Sequence, residues 1–113
     1  MRNTIKNHKD FFTTDSDPSA LSPLFVVRAK VAKFPNDARY GVMATKRIFR
    51  FAVQRNRAKR LLRDWVRFNE GLLAPEYDYI FIARFPILNA ERETGRAMMT
   101  KALTHIQHKY LKK

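Results

Sequence analysis

The sequence predicts an α+β fold on three observations: two segments that alternate with a period of two, one continuous apolar run of strand length, and two long helical patterns. Leu24 to Lys33 places Phe25, Val27, Ala29 and Val31 on one side and Val26, Arg28, Lys30 and Ala32 on the other, as a half-buried strand does. Arg39 to Lys46 alternates Tyr40, Val42 and Ala44 with Arg39, Gly41 and Met43. The turn residues Pro35-Asn36-Asp37-Ala38 lie between them, so the pair reads as an antiparallel hairpin. Tyr77 to Arg84 is almost wholly apolar, the pattern of a strand covered on both faces, and Pro86 ends it.

Between the second and third strands lies Lys46 to Phe68, KRIFRFAVQRNRAKRLLRDWVRF, with nine basic residues and one acid, Asp64. A helix starting near Phe51 and ending near Asn69 or Glu70, stopped by Gly71, places Ala58, Leu61, Leu62, Trp65 and Phe68 in one apolar stripe. Asn56, Lys59, Arg60, Arg63 and Arg67 share the other side. Lys59, Arg63 and Arg67 follow at intervals of four, where like charges oppose the helix, and Asp64 relieves only part of this by reaching Arg60 or Arg67. Such a row suits an external polyanion, and the preference for Arg suits forked contacts to phosphate and stacking on bases. A basic but idle solvated helix is the plainer reading of the same pattern.

The last helix is predicted from Asn89 as its cap, with Glu91 and Glu93 in the first turn and Lys109, Lys112 and Lys113 near the end, as the macrodipole favours. Met99, Leu103, Ile106 and Tyr110 form its apolar stripe. At the other end of the chain, a short helix from about Thr4 to Phe12 precedes a loop bounded by Pro18 and Pro23. Of Phe11 and Phe12, one anchors the segment and the other is available to stack on a base.

Composition sets the class of partner. The 113 residues suffice for one domain, 1–113, with 1–20 partly flexible, and 45% hydrophobic content supplies its core. A net charge of +13 and a pI near 10.7 point to nucleic acid or an anionic surface. No run reaches the roughly 18 apolar residues of a membrane span, and no signal-peptide core is evident. Without cysteine there is no disulfide and no thiolate chemistry, and the chain reads as cytoplasmic. His8, His105 and His108 and the scattered acids make no catalytic or metal-binding constellation, so neither catalytic nor metal-ligating residues are assigned.

The run Ala52-Val53-Gln54-Arg55-Asn56-Arg57-Ala58-Lys59-Arg60-Leu61-Leu62-Arg63-Asp64, preceded by Thr45-Lys46-Arg47, closely resembles the signature of the protein subunit of bacterial ribonuclease P. The flanking Arg39 to Lys46 and Asp78 to Arg84 occupy the places of that family's strands. The resemblance implies a two-layer αβββαβα sandwich with a four-stranded sheet and a left-handed βαβ crossover. It implies a monomer in a 1:1 ribonucleoprotein, in which the RNA subunit, holding Mg²⁺, removes the 5′ leader of precursor tRNA. The protein itself is then non-catalytic and binds no cofactor alone. By the same resemblance Arg55, Asn56, Arg57, Lys59, Arg60, Arg63 and Arg67 contact the ribonuclease P RNA, while Phe11, Phe25, Lys46, Lys59 and Arg63 line the leader groove.

The chain departs from that family pattern at several places. Ile48-Phe49-Arg50-Phe51 before the signature is one residue longer than usual and lacks Gly, no second aromatic follows Phe11 within 14–17, and Arg28 and Phe85 stand where an aromatic and a basic residue are expected. Phe49, Phe51 and Phe85 are candidates to compensate. Three other readings remain open on residues alone. A ribosomal or other non-enzymatic RNA-binding protein has similar size and charge. A DNA-binding protein would lay the arginine helix in a major groove, although no partner helix precedes it. A membrane-surface helix competes least well, since Trp65 and Phe68 are needed for a core.

Overall fold

Tyr77 to Ala83 becomes the central strand because an uninterrupted apolar run is stable only with neighbours on both edges and cover on both faces. The computed structural model describes residues 3–5, 11, 17–34 and 39–111. Its elements are strands β1 (Asn3–Thr4), β2 (Ser19–Leu21), β3 (Phe25–Val31) and β4 (Arg39–Met43), helix α1 (Ala52–Phe68), strand β5 (Tyr77–Ala83) and helix α2 (Arg92–Leu111). Short 3-10 turns cover Glu70–Leu72 and Phe85–Asn89. The sheet order is β1-β4-β5-β3-β2. The expected four-stranded sheet is β2 to β5, extended at one edge by the two-residue β1.

The expected hairpin does not form. β3 runs antiparallel to β5 from Phe25↔Ala83 to Val31↔Tyr77, and β4 runs parallel to β5 from Tyr40↔Tyr79 to Met43↔Ile82. β5 thus inserts between two strands that are neighbours in sequence. A β3–β4 hairpin would have left the most apolar strand at an edge, with its hydrogen-bonding groups unpaired. The connecting turn, 35–38, lies outside the described residues.

One face of the sheet carries Phe25, Val27 and Ala29 from β3, Tyr40 and Val42 from β4, and Tyr79, Phe81 and Ala83 from β5. Both helices cover this inner face: α1 lies against β4 and β5, α2 against β2 and β3. From α1 come Ala58, Leu62, Trp65 and Val66; from α2 come Met99, Ala102, Leu103 and Ile106. Met99, Leu103 and Ile106 are the expected stripe, while the Tyr110 side chain lies outside the described residues. Phe68 is a correction: it is 59% exposed, and Arg96 of α2 sits over its ring at 4.5 Å. Val66 fills the core instead, because the buried arc of α1 turns toward both the sheet and α2. Val31, 75% exposed, likewise lies past the helix layer.

The opposite, outer face carries Arg28 and Lys30 of β3, Asp78 and Ile80 of β5, and Arg39 and Gly41 of β4 in cross-strand rows. Asp78 is fully buried there and accepts from the Arg39 amide at 2.7 Å and its guanidinium at 3.0 Å. Thr4 is in a strand, bonded parallel to β4, and not in a helix; most of the expected 4–12 helix lies outside the described residues.

Helix ends also differ from expectation. α1 stops at Asn69, whose side chain bonds the carbonyls of Trp65 and Arg96, so a side chain and not Gly71 makes the stop. Gly71 has no left-handed backbone and falls in the following 3-10 turn. Asn89 ends a 3-10 turn and does not cap α2, whose first bond runs from the Gly95 amide to the Glu91 carbonyl at 2.9 Å. Glu93 and Lys109 do sit at the favoured ends of α2.

The two helices meet through Trp65 and Gly95. A Cβ added at Gly95 would fall within the indole ring of Trp65, which is fully buried and tilted against Phe25 at 6.2 Å. We expect Gly95→Ala to lower stability by about 1–3 kcal/mol through overpacking, read as a lower urea midpoint at unchanged slope. An unchanged midpoint would mean that α2 can move off Trp65 at no cost.

Candidate nucleic-acid interface

α1 is entered through a structured loop. Thr45 accepts from the amides of Ile48 and Phe49, and Phe49 is buried beneath Phe85, with rings stacked 5.9 Å apart. The Gln54 side chain accepts from the Phe51 amide at 3.3 Å, half of a capping box, since Phe51 has no side-chain acceptor to return the bond. Arg55 donates to the carbonyls of Phe49 at 2.9 Å and Arg50 at 3.3 Å. Its guanidinium therefore fastens the longer, glycine-free loop to the helix. This locking role was not apparent from sequence, where Arg55 reads as one more cation of the row.

Beyond that loop the charged face is open. Asn56, Arg57, Arg60, Arg63 and Arg67 are exposed, and Lys59 is half-buried on the flank away from α2. None of these five cations is in a salt bridge with an acid among the described residues. The one acid of the helix is diverted: Asp64 binds Arg96 of α2 through both carboxylate oxygens, at 3.2 and 3.3 Å, and not Arg60 or Arg67. Helix neighbours three or four apart compete poorly here, because Arg96 approaches from a facing helix with its planar fork already oriented by Phe68. The row Lys59, Arg63, Arg67 is left to repel itself.

The leader set does not come together as expected. Phe25 is fully buried on the inner face, while the half-buried Phe11 packs against Gly41 on the outer face. A sheet lies between them, so they cannot line one groove, and Phe25 has no ring face to offer. Period-two alternation places Phe25 with Val27 and Ala29, a signal for burial that runs against the groove role implied by the family resemblance. Lys46 is exposed in the turn after β4. Phe51 and Phe85 are exposed apolar rings near the start of α1, and Arg50 lies 5.7 Å from the Phe51 ring.

Among the described residues no group of three or more His, Asp or Glu side chains could hold a metal ion, and His105 and His108 are exposed on α2. Nor is any helix among them long and apolar enough to cross a membrane. Fold and site together define a mixed α/β protein that presents one dense guanidinium face to a polyanion. The Ribonuclease P family profile matches residues 1–107. The chain is 36% identical over 85 residues to the ribonuclease P protein component of Exiguobacterium sibiricum, covering 73% of this chain and 71% of that protein. It is 32% identical over 106 residues to that of Shouchella clausii, covering 93% and 83%. Its fold is that of the Staphylococcus aureus RNase P protein, with a TM-score of 0.66 at 23% identity over 96% of this chain and 94% of that one. The Thermotoga maritima RNase P protein is equally similar in fold, at TM-score 0.66 and 20% identity over 88% and 97%. The chain belongs to the ribonuclease P protein family and is a protein component of that endoribonuclease.

The Asp64–Arg96 pair is partly exposed, at 41% and 28%. Asp64→Asn is expected to lower stability by less than about 1 kcal/mol. By removing the only acid of α1 it should tighten RNA binding by about twofold at low salt. Weaker RNA binding in a filter assay would show instead that the pair shapes the interface.

Proposed function

We propose that α1 docks on the ribonuclease P RNA through Asn56, Arg57, Lys59, Arg60, Arg63 and Arg67, and that the protein holds the 5′ leader of precursor tRNA for removal by that RNA. The observation that carries this is the open cationic face of α1, whose five cations meet no described acid while its one acid is bound to α2. Fixed on a buried apolar arc, the guanidinium groups form a rigid array that folded RNA can meet with paired phosphate contacts. Arg55 enters the interface through the loop it holds, with its remaining donors available at the edge of the array.

For the leader, the path is the outer face of the sheet. Phe11 lies over Gly41 there, Lys46 stands at the end of β4, and Arg28 and Lys30 project from β3 on the same side. Lys59 and Arg63 stand on α1, which covers the opposite face of the sheet, so they serve the RNA-docking row and not this path. Aromatic rings give sequence-tolerant stacking and cations follow the backbone, as an extended leader without a base code requires. The hydrolysis of tRNA 5′-end maturation belongs to the RNA and the Mg²⁺ it binds. Its place of work is the cytoplasm, as one copy per RNA.

Reconstitution tests the role. Protein mixed with a bacterial ribonuclease P RNA and precursor tRNA at low Mg²⁺ and near-physiological salt should give leader cleavage that neither component gives alone. Tight ribosomal RNA binding with no effect on cleavage would assign the chain to another RNA partner. In the same system, Arg60→Ala or Arg63→Ala should lower the slope of log affinity against log salt by about one unit each. An unchanged slope would remove those side chains from the interface.

A further inference from the structure

α2 contributes a cation that the row on α1 does not contain. On a wheel of about 100° per residue, Arg57, Arg60 and Asp64 lie on the flank of α1 that faces α2. There they line a depression of about 270 Å³ together with Leu61, Trp65 and Arg92. Arg92 is the first residue of α2, at the positive end of a 20-residue helix. Three guanidinium groups from two helices thus surround one small hollow. The carboxylate in its lining, Asp64, is already matched by Arg96 through two bonds. None of Arg57, Arg60 or Arg92 is in a salt bridge with a described acid.

A second observation points the same way. Trp65, in the lining of this hollow, is fully buried, and its indole Nε1–H has no acceptor. A buried donor left unpaired costs about 1–3 kcal/mol, and Trp65 lies beside three guanidinium groups that meet no described acid. One tetrahedral oxyanion in the hollow supplies the negative charge and the several acceptors that three guanidinium groups can share.

We propose that the hollow between α1 and the start of α2 is a phosphate-binding site, with Arg57, Arg60 and Arg92 as its cationic ligands. Resting on the RNA-docking role above, its occupant is a backbone phosphate of the RNA. Arg92 is then a contact residue that extends the interface from α1 onto α2. The site differs from the exposed row in kind. Arg63 and Arg67 meet phosphates as surface charges, whereas the hollow holds one phosphate among three guanidinium groups and fixes the register of the RNA on the helix pair.

Trp65 is the only tryptophan, so its emission reports on the hollow directly. Inorganic phosphate added to the full chain at constant ionic strength should change that emission saturably. Arg92→Gln should weaken the apparent affinity about tenfold or more, Arg92→Lys should restore part of it, and Lys101→Gln, an equal loss of charge elsewhere on α2, should change it less than about twofold. Circular dichroism of each variant checks that the fold is kept. No saturable change in the wild-type chain, or the same curve for folded Arg92→Gln, would overturn the site. RNA affinities separate the two sources of phosphate. A larger loss for Arg92→Gln than for Lys101→Gln, with phosphate competing against RNA, assigns the hollow to the RNA backbone. Equal losses alongside intact phosphate saturation assign it to free phosphate and overturn the RNA contact. Failure of the wild-type chain to support precursor cleavage would remove the docking role while leaving the fluorescence result to judge the hollow.

Discussion

The structure depends on one helix that must satisfy two demands at once. α1 buries Ala58, Leu62, Trp65 and Val66 while five cations crowd its open side. Each like-charge step of the row Lys59, Arg63, Arg67 costs about 0.2–0.5 kcal/mol in helix stability. Burial of Leu62 alone contributes about 1.5–3 kcal/mol, so the apolar arc outweighs the repulsion with a margin. The cationic face is therefore held in place by what lies behind it. Trp65 is the centre of that support, pressed between Phe25 of the sheet and the backbone of α2 at Gly95.

α2 acts as a brace and also as the source of the charge balance. It takes Asp64 through Arg96, it receives the end of α1 through Asn69, and it holds the following turn through Gln107, which donates to the Leu72 carbonyl at 3.0 Å. By pairing the sole acid of α1, Arg96 leaves the five cations of that helix without an acid partner among the described residues. The same pairing packs the Arg96 guanidinium on Phe68, so an aromatic that cannot reach the core still orders a side chain at the interface. Arg55 plays a parallel part at the other end, where its bonds to Phe49 and Arg50 replace the flexibility a glycine would have given the entry loop.

The sheet divides two tasks between its faces. Its inner face is wholly devoted to packing, which is why Phe25 belongs there with Val27 and Ala29. Its outer face carries Arg28 and Lys30 and the buried Arg39–Asp78 pair, beside the ring of Phe11 on Gly41. A side chain at Gly41 would take the space of the far end of the Phe11 ring and displace it. A buried ion pair adds little net stability, yet losing either partner would strand a charge in the sheet, so it fixes how β4 sits on β5.

The sequence by itself determined the types of β3, β4, α1, β5 and α2, the two-sided character of α1 and the family, because these rest on periodicity and on a run of side chains read in order. Strands β3 and β5 and the stripe Met99, Leu103, Ile106 lie where alternation and helical spacing put them. Only the tertiary structure decided which strands are neighbours, since pairing is a competition among all strands and β5 won both β3 and β4. It also decided the partner of Asp64, the release of Phe68 from the core, and the separation of Phe11 from Phe25 by the thickness of the sheet. Each of these joins residues far apart in the chain, and a periodicity confined to one element carries no information about which other element will face it.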